Sequence, residues 1–260
     1  MFAPLRVHAA RLRTQHWPTL DDLQRALAER RPLGVARSGA PISFVPQERR
    51  AGLFEDRYEP RIYLEGEVQV RERDWHDLLN ALVWLAFPRA KAALNARHYH
   101  ALLAQRAAGA PNRGPVQDAM TLFDEGGIIV AARDSELLRR IERFEWKALF
   151  WHNRARVVAD MRFYLFGHAL YEKALNPFTG ITARGLLFEV DAGLLGAPLE
   201  VQLAHCDALA ASRLEDTALR SPNELAPVPL LGVPGWCTEN ECESYYDNKA
   251  YFRPGRARRM

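Results

Sequence analysis

The sequence predicts an α+β fold in a single domain, with mixed helices packed around a small mixed β-sheet. Helical apolar patterns lead the chain, strand-like and helical segments mix after residue 120, and no internal repeat or low-complexity linker divides it. Residues 1–40 read as a basic N-terminal arm and a helix, 41–254 as the domain, and 255–260 as a basic C-terminal tail.

The elements follow in order. Thr19 with Asp21 and Asp22 opens a helix, a hydroxyl cap followed by acidic side chains at the positive end of the dipole. Leu20, Leu23 and Leu27 form its apolar face, and Arg31-Pro32 closes it. A short strand is expected around Ile42 to Val45. Residues 61–70 alternate apolar and polar around Gly66, which predicts a hairpin or a bulged strand. Asp74, with Asp77 three residues on, caps a helix that is apolar over most of its surface through Leu78, Leu79, Leu82, Val83, Trp84 and Phe87, and Pro88 breaks it. A second helix is expected over 89–106. Residues 120–131 read as two strands around an Asp124-Glu125-Gly126-Gly127 turn. Asp134 or Ser135 then opens a long helix with the stripe Leu137, Ile141, Phe144, Ala148 and Trp151. A strand at 161–166, a sharp exit at Gly167, a short helix at 168–175, a strand at 185–190 and an amphipathic helix at 199–218 follow. From Ser221 the chain is Pro-rich, aromatic and irregular.

Composition narrows the function classes. The 260 residues are 48% hydrophobic and 26% charged, which excludes a disordered chain, a collagen-like fibre and a disulfide-dense miniprotein. The formal charge of +3 is too small to announce a nucleic-acid partner, and Arg253, Arg256, Arg258 and Arg259 are better explained as a solvated terminus. The longest apolar run, 81–87, is far too short to cross a membrane. With no secretory signal pattern at the N-terminus and three cysteines, an odd number, free thiols in a reducing cytoplasm are expected.

Residues 74–98, 113–125 (RGPVQDAMTLFDE), 166–173 (FGHALYEK) and 229–236 (PLLGVPGW), ending at YFRP, together resemble one bacterial family, domain of unknown function 3025. The resemblance covers roughly residues 40–254. It implies a soluble bacterial protein and supplies no activity. The motif positions it carries over are His76, Asn80, Asn95, Asp118, Asp124, Glu125, His168 and Glu172.

Among these, His76 and Asn80 are four apart and share one helix face, where an imidazole could act as general base and an amide could orient substrate. His168 and Glu172 repeat that spacing directly after a strand and a glycine, and an imidazole with a carboxylate there can chelate a divalent ion. Asp124 and Glu125 could complete such a site, although two carboxylates also suit a solvated turn. His205-Cys206 with Cys237 and Cys242 has soft ligands but no usual zinc spacing, and His98 and His100 diverge on a helix. No G-x-S-x-G elbow, phosphate-binding glycine loop or H-E-x-x-H occurs. Two functions follow as expectations. The first is a hydrolase with a divalent metal on His168, Glu172 and Asp124, His76 as base and Asn80 as orienting residue. The second is a non-catalytic binding module in which the histidines are structural and Trp75, Trp236, Tyr245 and Tyr246 form a docking surface.

Overall fold

The computed structural model describes residues 1–12, 16–30, 34–48, 52–217 and 219–255. The chain is α+β. Its N-terminal segment is a helix, α1 (Ala3–Arg11), whose Leu5 joins the core. Helix α2 (Leu20–Ala28) begins on a reciprocal cap: Thr19 Oγ1 accepts from Asp22 N, and Asp22 accepts from Thr19 N. Its expected stop at Arg31-Pro32 lies outside the described residues. Strand β1 (Ser43–Pro46) pairs in parallel with β2 (Glu67–Val70), Ser43 facing Glu67.

The segment read as a hairpin is instead a helix, α3 (Tyr58–Glu65), followed by β2. Alternation from Ile62 to Val70 spans two elements because Gly66 ends the helix in the left-handed region, φ 75°. A Cβ there would lie 2.0 Å from Pro41 O, so glycine alone permits the turn and the close chain crossing.

Helix α4 (Trp75–Ala86) starts on Asp74, which accepts from Asp77 N at 3.0 Å, and buries nine consecutive residues from Leu78 to Ala86. Pro88 begins α5 (Pro88–Ala107), with Phe87 between the two helices. The α5 N-terminus is capped from a distance: Asp207 accepts from Arg89 N at 3.2 Å and Ala90 N at 2.8 Å.

The second correction falls at 120–131, where no hairpin forms. Helix α6 (Pro115–Gly126) runs directly into β3 (Gly127–Ala132), because Val116, Ala119, Met120 and Phe123 hold a helical stripe that outweighs the turn character of Asp-Glu-Gly-Gly. The long helix expected from residue 135 is also broken. Helix α7 (Ser135–Glu142) stops at Phe144, φ 61°, and a π-helical turn (Ala148–His152) precedes α8 (Arg154–Asp160).

Strand β4 (Met161–Leu165) leads to α9 (His168–Ala174), and β5 (Thr182–Glu189), α10 (Ala192–Gly196), α11 (Leu199–Glu215) and β6 (Ala226–Pro229) complete the order. The main sheet runs β4-β3-β5-β6, with β3 parallel to β5 and antiparallel to β4. Strand β3 is buried along its whole length. Helix α4 packs on α9 and α5 on α11, α6 and α3, so one apolar core runs from Leu5 to Phe252. Among the described residues no helix is long and apolar enough to cross a membrane.

Candidate metal centre

Three helix ends converge on one face of this core. Helix α4 presents His76 in its first turn and Asn80 one turn later, α6 finishes on Asp124 and Glu125, and α9 opens on His168 with Glu172 one turn on. The β3–β4 ladder brings the last two ends together, because Gly127 O accepts from both Phe166 N and Gly167 N at 2.9 Å. A Cβ on Gly167 would fall 2.4 Å from Glu125 O and 2.5 Å from Gly127 N. Only glycine lets these backbones touch, and that contact seats His168 beside Glu125.

The Nε2 atoms of His76 and His168 face each other at 2.9 Å, with the rings crossed at 77°. On the opposite side of each ring stands a carboxylate. Glu172 Oε2 is 3.2 Å from His76 Nδ1, and Asp124 Oδ2 is 3.8 Å from His168 Nδ1. Glu125 Oε1 lies 3.9 Å from His168 Nε2. Among the described residues, His76, Glu125 and His168 offer ligand atoms that all lie within 4.8 Å of one another.

Behind them sits Lys91 of α5, only 3% exposed. Its ammonium pairs with Asp124 Oδ1, donates to Asn80 Oδ1 at 2.9 Å and lies 5.4 Å from the centre of the Trp84 ring. Asn80 Nδ2 in turn donates to the Tyr58 hydroxyl at 2.8 Å. Burial opposes the charge on Asp124, but the Lys91 ammonium and then His168 outweigh it and hold the carboxyl below its usual range. Burial, reinforced by the Asp124 charge, pushes Glu125 up. Burial also lowers His168 to about 4, so its imidazole is neutral near pH 7, the form that binds a cation. The cluster opens into a cavity of about 430 Å³ that is also lined by Tyr58, Glu59, His98, Arg113 and Thr121.

Residues 42–256 match the family described as Protein of unknown function (DUF3025). The chain belongs to the DUF3025 family. No curated protein and no solved structure matches it.

Among the DUF3025 motif positions, the structure gathers His76, Asn80, Asp124, Glu125 and His168 around one cavity, with Glu172 in contact with His76. Asn95 is buried nearby and donates to Glu59 O and Oε2 at 3.0 and 2.6 Å, whereas Asp118 faces solvent. The expected roles shift within the group. Glu172 and Asp124 stand behind the imidazoles, while Glu125 is on their Nε2 side. His76 points its Nε2 at His168, and the Asn80 side chain is engaged by Tyr58 and Lys91.

Elsewhere the candidates disperse. Cys206 is in the core, its thiol pushed up to about 12 by burial with Asp207 adding to it, and Cys237 donates to Glu239 at 2.5 Å. All three thiols are free, and none joins a ligand cluster among the described residues. Tyr246 is buried, with its hydroxyl donating to Gly232 O, which removes it from any docking surface; Trp75 is exposed and packs edge-on against Trp17. Arg256, Arg258 and Arg259 lie outside the described residues. Lys91 and His98 went unread as site residues. Lys91 sits in an alanine-rich helix with no local cue, and His98 diverges from its neighbour His100 on that helix, so spacing does not mark it.

Proposed function

We propose that this DUF3025 protein is a hydrolase built around one divalent cation, held by His76, His168 and Glu125. The observation that carries the reading is the orientation of the two imidazoles: each turns Nε2 to a shared point and Nδ1 to a carboxylate, Glu172 or Asp124. Metal-bound histidines characteristically donate to such an outer carboxylate. Glu172 Oε2 is within reach of His76 Nδ1 at 3.2 Å, whereas Asp124 Oδ2, 3.8 Å from His168 Nδ1, acts through its charge alone, that nitrogen having no hydrogen-bond partner among the described residues. Two imidazole nitrogens on one ion at about 2.0–2.1 Å sit roughly 2.9–3.4 Å apart, and the Nε2 pair at 2.9 Å falls in that range. With Asp124 balanced by Lys91, Glu59, Asp77 and Glu125 against Arg71 and Arg113 leave the cavity wall one negative charge in excess, which favours a cation.

Three protein ligands leave coordination positions for water and substrate. An ion held there would supply Lewis-acid chemistry, lowering the pKa of a water beside it and so favouring hydrolysis of an acyl or phosphoryl bond. The Lys91–Asp124 pair keeps a fixed negative charge behind His168 without adding net charge. Three unpaired thiols suit a reducing compartment such as the cytoplasm.

Elemental analysis of the purified, untagged protein tests this, with His168→Ala as control. Near-stoichiometric zinc, manganese or iron that the substitution removes is the expected result, and zinc or manganese directs the next assays to ester, amide and phosphoester hydrolysis. A metal-free protein whose melting temperature is unmoved by a divalent-ion screen overturns the reading. The 2.9 Å contact is then a neutral N–H···N hydrogen bond and the cluster is scaffold.

A further inference from the structure

The cavity is much larger than an ion and its waters, a water occupying about 30 Å³ in the liquid. One side of it follows a single stripe of α6: Glu125, Thr121 one turn earlier, and Arg113 just before the helix begins. At 1.5 Å per residue, Arg113 and Glu125 are about 18 Å apart at their Cα atoms, and an extended arginine side chain closes part of that span.

The donors on this stripe are unengaged. Thr121 Oγ1 is buried and has no hydrogen-bond partner among the described residues. Among the described residues, Arg113 lines the cavity without an ion pair or a hydrogen bond, in contrast to Arg71, which is held by Asp77 through two bonds of 2.7 and 2.9 Å. Tyr58 accepts from Asn80, and its own O–H remains available to donate into the same space. The carboxylate nearest to Tyr58 in sequence, Glu59, is engaged by the Asn95 amide. A buried hydroxyl without a partner is destabilising, so a ligand that accepts from it recovers that loss.

We propose that the cavity binds an elongated substrate bearing an anionic group, a carboxylate or a phosphate, seated on Arg113 and Thr121 while the hydrolysable bond lies at the His76–Glu125–His168 end. Arginine suits this position because its planar fork meets either oxyanion with two parallel hydrogen bonds. Only the placement of the reacting bond rests on the metal reading; the anion seat does not.

The two can therefore fail separately. Chelator-treated wild-type protein and the Arg113→Gln, Arg113→Lys and Thr121→Val variants are titrated with inorganic phosphate and with succinate by calorimetry, after thermal melts confirm folding. Millimolar binding of at least one anion is expected in the metal-free wild type, weakened tenfold or more by Arg113→Gln, several-fold by Thr121→Val, and partly restored in Arg113→Lys. Tighter phosphate than succinate assigns a phosphorylated substrate, and the reverse order assigns a carboxylate. Absence of binding by both anions, or binding that Arg113→Gln leaves unchanged, overturns the proposal. Anion binding that requires added metal and ignores Arg113 also overturns it, since the anion is then a metal ligand.

Discussion

Two regions of this protein carry ligand-type side chains, and they behave in opposite ways. Around His76, Glu125 and His168, side chains from three helices point at one another across a cavity. Around Cys206, Cys237 and Cys242 the thiols are absorbed separately, one into the core, one into a contact with Glu239 and one at the surface. Both regions offer residues able to bind metal. Convergence separates them, and in the first region it comes from backbone contact at Gly167 and Gly127 rather than from the ligands themselves. Residue type is therefore a poor guide to a site unless something in the fold forces the side chains together.

The contrast breaks most severely at Gly167. Gly167→Ala places a methyl 2.4 Å from Glu125 O and 2.5 Å from Gly127 N, both main-chain atoms that cannot yield cheaply. We expect a loss of roughly 3 kcal/mol or more in denaturant unfolding, together with loss of bound metal. Normal metal content and melting in this variant would show that the close contact does not assemble the site.

Acid titration extends the contrast, because Asp207 and His168, one buried in each region, have opposite slopes. Burial raises Asp207 from 3.8 to about 6, so the folded protein keeps a proton that the unfolded chain has lost, and stability falls as pH rises through that window. Burial lowers His168 from 6.5 to about 4, so the unfolded chain holds the extra proton and stability rises between those values. Each shift corresponds to about 3 kcal/mol. In metal-free protein these contributions oppose each other across pH 4–6. Asp207→Asn is expected to expose a rise of stability with pH, and His168→Gln a fall. Urea midpoints across that range decide it, and two variants that keep the wild-type profile would refute the assignment.

The smallest effects belong to residues that support ligands or merely resemble them. Glu172→Gln removes the charge behind His76 Nδ1 and is expected to weaken metal binding about 10–100-fold while leaving the fold intact. Cys237→Ser is expected to change metal affinity not at all and stability by less than about 0.5 kcal/mol. Competition with a chelator whose affinity is known measures both. Equal losses in the two variants would erase the distinction between the regions.

Much of the site was legible as pairs. The Asp74 cap and the spacing of His76 and Asn80 put both on one face of α4, and the strand-glycine exit placed His168 and Glu172 at a helix start. Their meeting was not legible, since 92 residues separate the histidines and the β3–β4 ladder joins them. Asp124-Glu125-Gly126-Gly127 misled because its residues favour turns locally. The helical spacing of Val116, Ala119, Met120 and Phe123 was the signal that could have corrected it. Lys91 had no such signal, because a buried ammonium is set by what surrounds it, and Asp124, Asn80 and Trp84 all come from elsewhere in the chain.

The bifurcated acceptor at Gly127 O has a consequence in time as well as in space. Because the Gly127–Gly167 contact is one end of the antiparallel β3–β4 ladder, His76, Glu125 and His168 meet only where that non-local pairing has formed. An ion bound there would meet a completed topology, retarding the escape from the native state while leaving the rate of reaching it almost untouched.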